Sequence, residues 1–329
     1  MNALLPTVAD VEEADARLSD WLIATPVLES ETLNARVGCR VLVKAESLQH
    51  GGSFKIRGAL HRLLRLSRTE REAGVVASSS GNHAQGVAMA AKWLDVPATI
   101  VMPRDAPKIK QFNTRALGAE IVLYDRYKED RERIAASIAE ERGAALVPAF
   151  DHADIIAGQG TVGLELAAFA RRRRLPLDGL FVPCGGGGLV AGSGTAVTAA
   201  FPECRVYAVE PQAYNDTALS LAAGTRQVIL NHAKTTCDAL MTPSPGAITF
   251  AINRELLTAA LPVTDAQVAH AMAFAARYLK LALEPSGATA LAAVLAGVPP
   301  DHVCIGVVLS GANVDRDLFV RSLNDYPDP

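Results

Sequence analysis

Residues 180–192 read Leu-Phe-Val-Pro-Cys-Gly-Gly-Gly-Gly-Leu-Val-Ala-Gly. The apolar run Leu180 to Cys184 has the length of a buried strand, the four glycines form a tight turn, and the small apolar residues after them continue as a helix. Strand–turn–helix units build parallel sheets covered by helices on both faces. The same alternation runs through the chain. Candidate strands are RVLVKAE from Arg40, GVVASS from Gly74, ATIVMP from Ala98, EIVLYD from Glu120, RVYAVE from Arg205 and CIGVVLS from Cys304. Helical patterns start near Ala84, Lys108, Arg131, Ile156 and Asp265. The expected class is therefore α/β with open, mainly parallel sheets.

Composition narrows the function. The 329 residues carry 32 Lys+Arg against 35 Asp+Glu, a net charge of −3. At about 100–200 residues per domain, that length means two domains or one large α/β unit. Half the residues are apolar, which excludes a disordered chain. The charge leaves no basic footprint for nucleic acid. Five widely spaced cysteines without a CxxC pair encode neither a zinc site nor a disulfide framework. The N-terminus has early acids and no basic region, so it does not read as a signal peptide, and a reducing cytoplasm is expected. Residues 179–202 are uncharged and long enough to span a bilayer, but Pro183 and the glycines interrupt them, so no membrane span is expected.

In open α/β sheets, ligands sit at the carboxyl ends of strands, where helix N-termini point donors outward. Three strand ends carry unusual residues. Gly185, Gly186, Gly187 and Gly188 let backbone N–H groups crowd around an anion, and phosphate is the natural guest. Gly186-x-Gly188-x-x-Ala191 also satisfies the dinucleotide fingerprint, with Glu210 as the candidate ribose acid. A dinucleotide, a simpler phosphate ester and a purely structural turn all fit this segment alone. Ser78-Ser79-Ser80-Gly81-Asn82-His83 is richer in polar groups than a helix cap needs and suits a carboxylate. Lys55, in Ser53-Phe54-Lys55-Ile56-Arg57-Gly58-Ala59, is one of only eight lysines. It stands among small and apolar neighbours where burial would lower its pKa toward a nucleophilic amine; the alternative is a surface lysine at a helix start. Glu284-Pro285-Ser286-Gly287-Ala288 and Ser310-Gly311-Ala312-Asn313 add hydroxyls at two more ends.

Taken jointly and in this order, GSFKIRGA, SSGNHAQG, CGGGGLVAG, EPSGA and LSGANVD resemble the fold-type II pyridoxal-phosphate (PLP) enzymes, in the branch of threonine/serine dehydratases and serine racemase. The resemblance runs from about Thr25 to Asp315. It implies a tryptophan synthase β-like fold of two domains, a large discontinuous one over 1–73 and 151–329 and a small mobile one over 74–150. It implies that Lys55 joins PLP and later moves protons at the substrate Cα, that Phe54 packs on the ring, and that Asn82 bonds the ring hydroxyl. Gly185 to Gly188 would wrap the phosphate and Ser310 would face the pyridine nitrogen. Ser79, Ser80, Gly81 and His83 would receive the substrate carboxylate, and Ser80 matches the racemase's acid/base on the face opposite the lysine.

The resemblance overturns the dinucleotide reading of the glycine loop. It also implies a divalent cation, Mg²⁺ or Ca²⁺, held by Glu210, the Tyr214 carbonyl and Asp216, and a homodimer acting on a small amino acid. The expected reaction is dehydration and deamination of a 3-hydroxy-L-amino acid, threonine or serine by default. Serine racemase, 3-hydroxyaspartate ammonia-lyase and a hydroxyectoine-type dehydratase are the rivals. Two departures stand out. Ala312 replaces the family's usual glycine, and His152, in Phe150-Asp151-His152-Ala153, stands in a loop expected to border the substrate side chain.

Overall fold

The computed structural model describes residues 5–326 apart from 107, 126, 231 and 232. Among the described residues ten strands form two sheets. They are β1 (Val27–Leu28), β2 (Arg40–Ala45), β3 (Val75–Ser78), β4 (Ala98–Pro103), β5 (Glu120–Tyr124), β6 (Ala145–Leu146), β7 (Gly179–Pro183), β8 (Arg205–Pro211), β9 (Leu257–Val263) and β10 (Cys304–Leu309). The six-stranded sheet has the order β1-β2-β10-β7-β8-β9 and the four-stranded one β5-β4-β3-β6. Apart from the short antiparallel β1, every pairing is parallel. Parallel strands covered on both faces read as continuous apolar runs, which is why β2, β7, β8 and β10 were legible. No helix among the described residues is long and apolar enough to cross a membrane. Residues 179–202 are β7, the glycine turn and the helix Gly188–Ala200.

Three strands lie where the sequence pattern predicts none. β1 and β6 have two residues each, too few for any periodicity. β9 contains alanines and Pro262, and Pro is tolerated in a strand that ends its sheet, as β9 does.

The hydrophobic cores cross the expected domain boundary. Ile56, Ala59, Leu60 and Leu63, all on helix Lys55–Leu64, pack in one cluster with Val75, Ala77, Ile100 and Met102 of the four-stranded sheet. Ile155 and Ala157 of helix Ala153–Arg172 join them. The segment that carries Lys55 therefore rests on the small sheet, although it precedes residue 74.

A buried charge network fixes that helix. Arg57 is 1% exposed and its guanidinium donates to both carboxylate oxygens of Glu46, at 2.7 and 2.8 Å. It also donates to Glu165 Oε1 at 2.6 Å and to Thr161 Oγ1 at 3.0 Å. Lys44, likewise buried, pairs with Glu165 and donates to the Thr25 carbonyl at 2.6 Å. Burial works against the Arg57 charge, but Glu46 and Glu165 outweigh it and hold the group protonated. The same pairing keeps the Glu46 carboxyl below its usual range despite complete burial. The network joins β2, helix Lys55–Leu64 and helix Ala153–Arg172.

Removing one partner from a buried pair strands the other charge and costs about 3–5 kcal/mol. Arg57→Met should lower the unfolding free energy by that order in urea denaturation, whereas Arg68→Met, at an exposed pair with Glu72, should change it by less than about 0.5 kcal/mol.

Candidate active site

The carboxyl ends of β3, β7 and β10 converge on one cavity. Its wall contains Phe54 and Lys55, the turn Ser78–His83, the glycines Gly185 to Gly188, and Ser310. Every residue expected to meet cofactor or substrate thus lines one space, while Glu210, Tyr214 and Asp216 lie outside it.

Backbone bonds tie the contributing segments together. Phe54 N donates to Ser310 O at 3.2 Å and Ala312 N to Gly52 O at 2.9 Å. Glu284 N donates to Gly311 O at 3.2 Å. A Cβ on Gly287 would sit 2.2 Å from the Gly311 carbonyl oxygen, so glycine is what lets these two segments approach. Ala312, the departure from the family pattern, donates its N–H to Gly52 without needing a glycine's freedom; it is absent from the left-handed residues.

Lys55 opens its helix, and its Nζ donates to the Ala149 carbonyl at 2.9 Å and lies 5.1 Å from the centre of the Phe54 ring. Desolvation by the surrounding protein pushes the amine down to about 8, against an opposing pull from Glu284. This is the lowered pKa expected for a nucleophile rather than for a surface lysine. His83 is buried; its Nε2 donates to the Val147 carbonyl at 2.8 Å, so the bare Nδ1 is left as an acceptor with no protein partner. Burial, then the charge of Lys55, pushes the imidazole down to about 3 and keeps it neutral.

Asn82 is shared between the two sheets' loops. Its Nδ2 donates to Glu284 Oε1 at 2.5 Å, and its Oδ1 accepts from Asn313 Nδ2 at 2.8 Å. One N–H of Asn82 remains to meet a ligand. Burial pushes the Glu284 carboxyl up to about 8.

Gly187 adopts a φ of +90°, the conformation that turns β7 into the following helix. Helix Gly188–Ala200 has no side-chain cap, so its first N–H groups face the cavity unsatisfied by the chain's own side chains. Free amides at a helix start beside a nucleophilic lysine suit a phosphorylated aldehyde, and PLP fits this donor set.

Glu210 sits at the end of β8, fully buried, and accepts the N–H groups of Thr217 at 2.9 Å and Ala218 at 3.0 Å. It does not line the cavity that the glycines line, a second ground against the dinucleotide reading. Asp216 is buried beside it with both carboxylate oxygens unpartnered. Burial raises Glu210 to about 7; burial and then Glu210 raise Asp216 to about 8. Among the described residues no three His, Cys, Asp or Glu side chains form a metal cluster. Two carboxylates and a carbonyl are an oxygen donor set that leaves room for waters, which fits Mg²⁺ or Ca²⁺ rather than a transition metal.

The loop expected to border the substrate lines the cavity through Ala149 and Phe150, but His152 itself does not. Its Nδ1 accepts the Asp154 N–H at 3.1 Å as the cap of helix Ala153–Arg172. Capping turns the ring out of the cavity, whose wall there is Ala149 and Phe150. Lys110, Arg131, Asp238 and Thr242 line the cavity without having been singled out, and Glu284, whose segment was noted for its hydroxyl, lines it with a carboxyl. Asp238 and Thr242 belong to a stretch, CDALMTPSPG, that reads as unusual. Lys110 and Arg131 sit in helices Lys108–Ala116 and Arg131–Arg142 and carry no local signal.

Residues 18–311 match the family described as pyridoxal-phosphate dependent enzyme. The chain is 42% identical to L-threo-3-hydroxyaspartate ammonia-lyase of Saccharomyces cerevisiae, over 99% of this chain and 98% of the relative. It is 44% identical to a protein of the same name from a Pseudomonas species, over 97% and 99%. Among solved structures, maize serine racemase superposes with a TM-score of 0.91 at 36% identity, covering 98% of each chain.

An amine must be neutral to attack an aldehyde. Capture of PLP by cofactor-free protein should therefore accelerate with pH and level off above about 8. Stopped-flow absorbance checks this; a midpoint near the ordinary 10.5 contradicts the desolvated lysine. Lys55→Ala should capture no PLP and leave borohydride-treated protein unlabelled.

Proposed function

The chain belongs to the pyridoxal-phosphate dependent enzymes, and we propose that it dehydrates a 3-hydroxy-L-amino acid with an acidic side chain to an enamine, whose hydrolysis gives a 2-oxo acid and ammonia. PLP-dependent ammonia-lyase or racemase chemistry on hydroxy amino acids is common to its relatives. The acidic side chain is the finer reading. Threonine or serine is the default from motifs alone, but two cations, Lys110 and Arg131, stand in the cavity wall. Lys110 meets Asp238 at 3.1 Å and Arg131 meets Glu132 at 3.1 Å, both pairs partly open to solvent. Such exposed pairs are weak and can be exchanged for a substrate carboxylate at little cost. The names of the yeast and Pseudomonas relatives support the same side chain.

When bound, PLP supplies an electron sink that makes the substrate Cα–H acidic. The chain's own residues do the rest. Lys55, with its amine near neutrality at working pH, takes the Cα proton. Ser79, Ser80, Gly81 and His83 receive the α-carboxylate at the start of helix Asn82–Leu94, whose N–H groups and dipole favour an anion. The amides of Gly185 to Gly188 hold the phosphate, Phe54 packs against the ring, and Asn82 offers its free N–H to the ring hydroxyl. Ser310, in the cavity wall, would meet the pyridine nitrogen with a hydroxyl, which would not hold a positive charge there as a carboxylate would. Loss of the β-hydroxyl with the Cα proton leaves an enamine, which takes up water to release ammonia. Racemisation is the second reading, because Ser80 lines the same cavity and can serve the face opposite Lys55.

Glu210, Asp216 and the Tyr214 carbonyl are proposed to hold Mg²⁺ or Ca²⁺, which would compensate two buried carboxylates. The observation behind this is the pair of unpartnered Asp216 oxygens. The cation would firm the base of the glycine loop, because Cys184 lies against Thr217, with Sγ and Oγ1 3.5 Å apart.

Release of 2-oxo acid from L-threo-3-hydroxyaspartate, L-threonine and L-serine tests the substrate. The aspartate derivative should have the highest kcat/KM. Arg131→Met should raise its KM by about tenfold to a hundredfold, the loss of a charge-assisted hydrogen bond, and leave serine turnover near wild type. Fastest turnover of threonine returns the reading to the default. Interconversion of L- and D-serine without 2-oxo acid favours the racemase. Millimolar Mg²⁺ or Ca²⁺ should raise the melting temperature of the wild type but not of Asp216→Asn; equal response of the two proteins removes the cation from this seat.

A further inference from the structure

Helix Ala247–Leu256 packs behind the glycine loop, on the side away from the cavity lining. Two of its side chains reach the loop's carbonyls. Thr249 Oγ1 donates to Gly186 O at 2.6 Å, and Asn253 Nδ2 donates to Gly187 O at 3.3 Å. Both are buried, at 0% and 1% exposure. In a trans peptide the C=O of one residue and the N–H of the next point in opposite directions. Backbone N–H groups share these acceptors, Gly246 N at 3.4 Å from Gly186 O and Ala191 N at 3.0 Å from Gly187 O; with both carbonyls held on this side, the N–H groups of Gly187 and Gly188 turn the other way, toward the cavity.

The helix itself is clamped. Its N-cap is Gly246, which has no side chain to bond the first amides. Asp151 supplies the missing acceptors from a distant part of the chain. Its Oδ2 accepts Ala247 N at 2.8 Å, and its Oδ1 accepts Ile248 N at 2.8 Å and Thr249 N at 3.1 Å. Asp151 follows directly on Phe150 of the cavity wall. The contact chain thus runs from the cavity's edge through the helix to the loop.

Asn253 carries a cost that packing does not explain. Its Oδ1 is buried with no partner, and a buried acceptor left unmade is destabilising. An apolar side chain of the same shape would avoid that cost but would leave Gly187 O with the Ala191 N–H, at 3.0 Å, as its remaining partner.

We propose that Thr249 and Asn253 are positioning residues that aim the Gly187 and Gly188 amides at the cofactor phosphate. The inference rests on the reading that the glycine loop receives that phosphate. The test compares PLP with pyridoxal, which has the same aldehyde and ring but no phosphate. Affinity of the cofactor-free protein for each is read from the absorbance of the lysine-bound form, alongside the urea midpoint of the cofactor-free protein.

Wild type should hold PLP far more tightly than pyridoxal; equal affinities overturn the loop reading itself. Thr249→Val should weaken PLP by about tenfold, the loss of one buried hydrogen bond, and leave pyridoxal unchanged. Thr249→Ser, which restores the hydroxyl, should return PLP affinity. Asn253→Leu should also weaken PLP alone, with the urea midpoint unchanged or raised. If Thr249→Val fails to fold, Asn253→Leu decides. An equal fall for PLP and pyridoxal, or no fall for either, overturns the positioning role.

Discussion

Arg57 is a charged side chain in a place where water does not reach, and its three acidic and hydroxyl partners, Glu46, Thr161 and Glu165, come from two different elements. A guanidinium there is tolerable only while Glu46 and Glu165 stay in place. Glu46 follows β2, Glu165 lies on a long helix of the large sheet's layer, and Arg57 itself is two residues beyond Lys55. The network therefore fixes the first turn of the helix that carries the reactive amine. The other end of that helix packs by apolar contact on the four-stranded sheet. Lys55 is consequently held by both halves of the molecule, one through charge and one through hydrophobic packing.

The cavity divides its electrostatics. Uncapped helix starts after β3 and β7 present amides suited to anions. Between them a lysine is pushed toward neutrality, a histidine is kept neutral, and Glu284 is pushed toward its protonated form. Fixed dipoles that attract anions stand around groups that can exchange protons near neutral pH. Lys110 and Arg131 at the wall, paired with Asp238 and Glu132, are the groups proposed to read what the substrate carries beyond its α-carboxylate.

Side chains bridge the two sheets at the same place. Asn82 bonds both Glu284 and Asn313, and Lys110 pairs with Asp238 across the cavity. Movement of the small sheet relative to the large one has to break or exchange these bonds, and a ligand that competes for Asn82 or Lys110 couples binding to that movement. Behind the loop, Asp151 and helix Ala247–Leu256 form a firmer attachment that does not line the cavity.

Local sequence determined the class of fold, most of the strands and the set of segments around the cavity. It did so because parallel strands buried on both faces must be apolar throughout, and because glycines, hydroxyls and a lone lysine at strand ends have few structural uses. It did not show β9, whose Ala-rich run with Pro262 is a strand only because it closes the edge of a sheet. It did not show that His152 caps a helix, a local contact that keeps the ring out of the cavity wall. Lys110, Arg131, Thr249, Asn253 and the Arg57 network were invisible in it. Each acts on groups brought close by folding from distant parts of the chain, and no periodicity or spacing encodes such a distance. Periodicity and turn chemistry are written in neighbouring residues; desolvation, orphaned carboxylates and the aim of an amide exist only once the chain has closed around them.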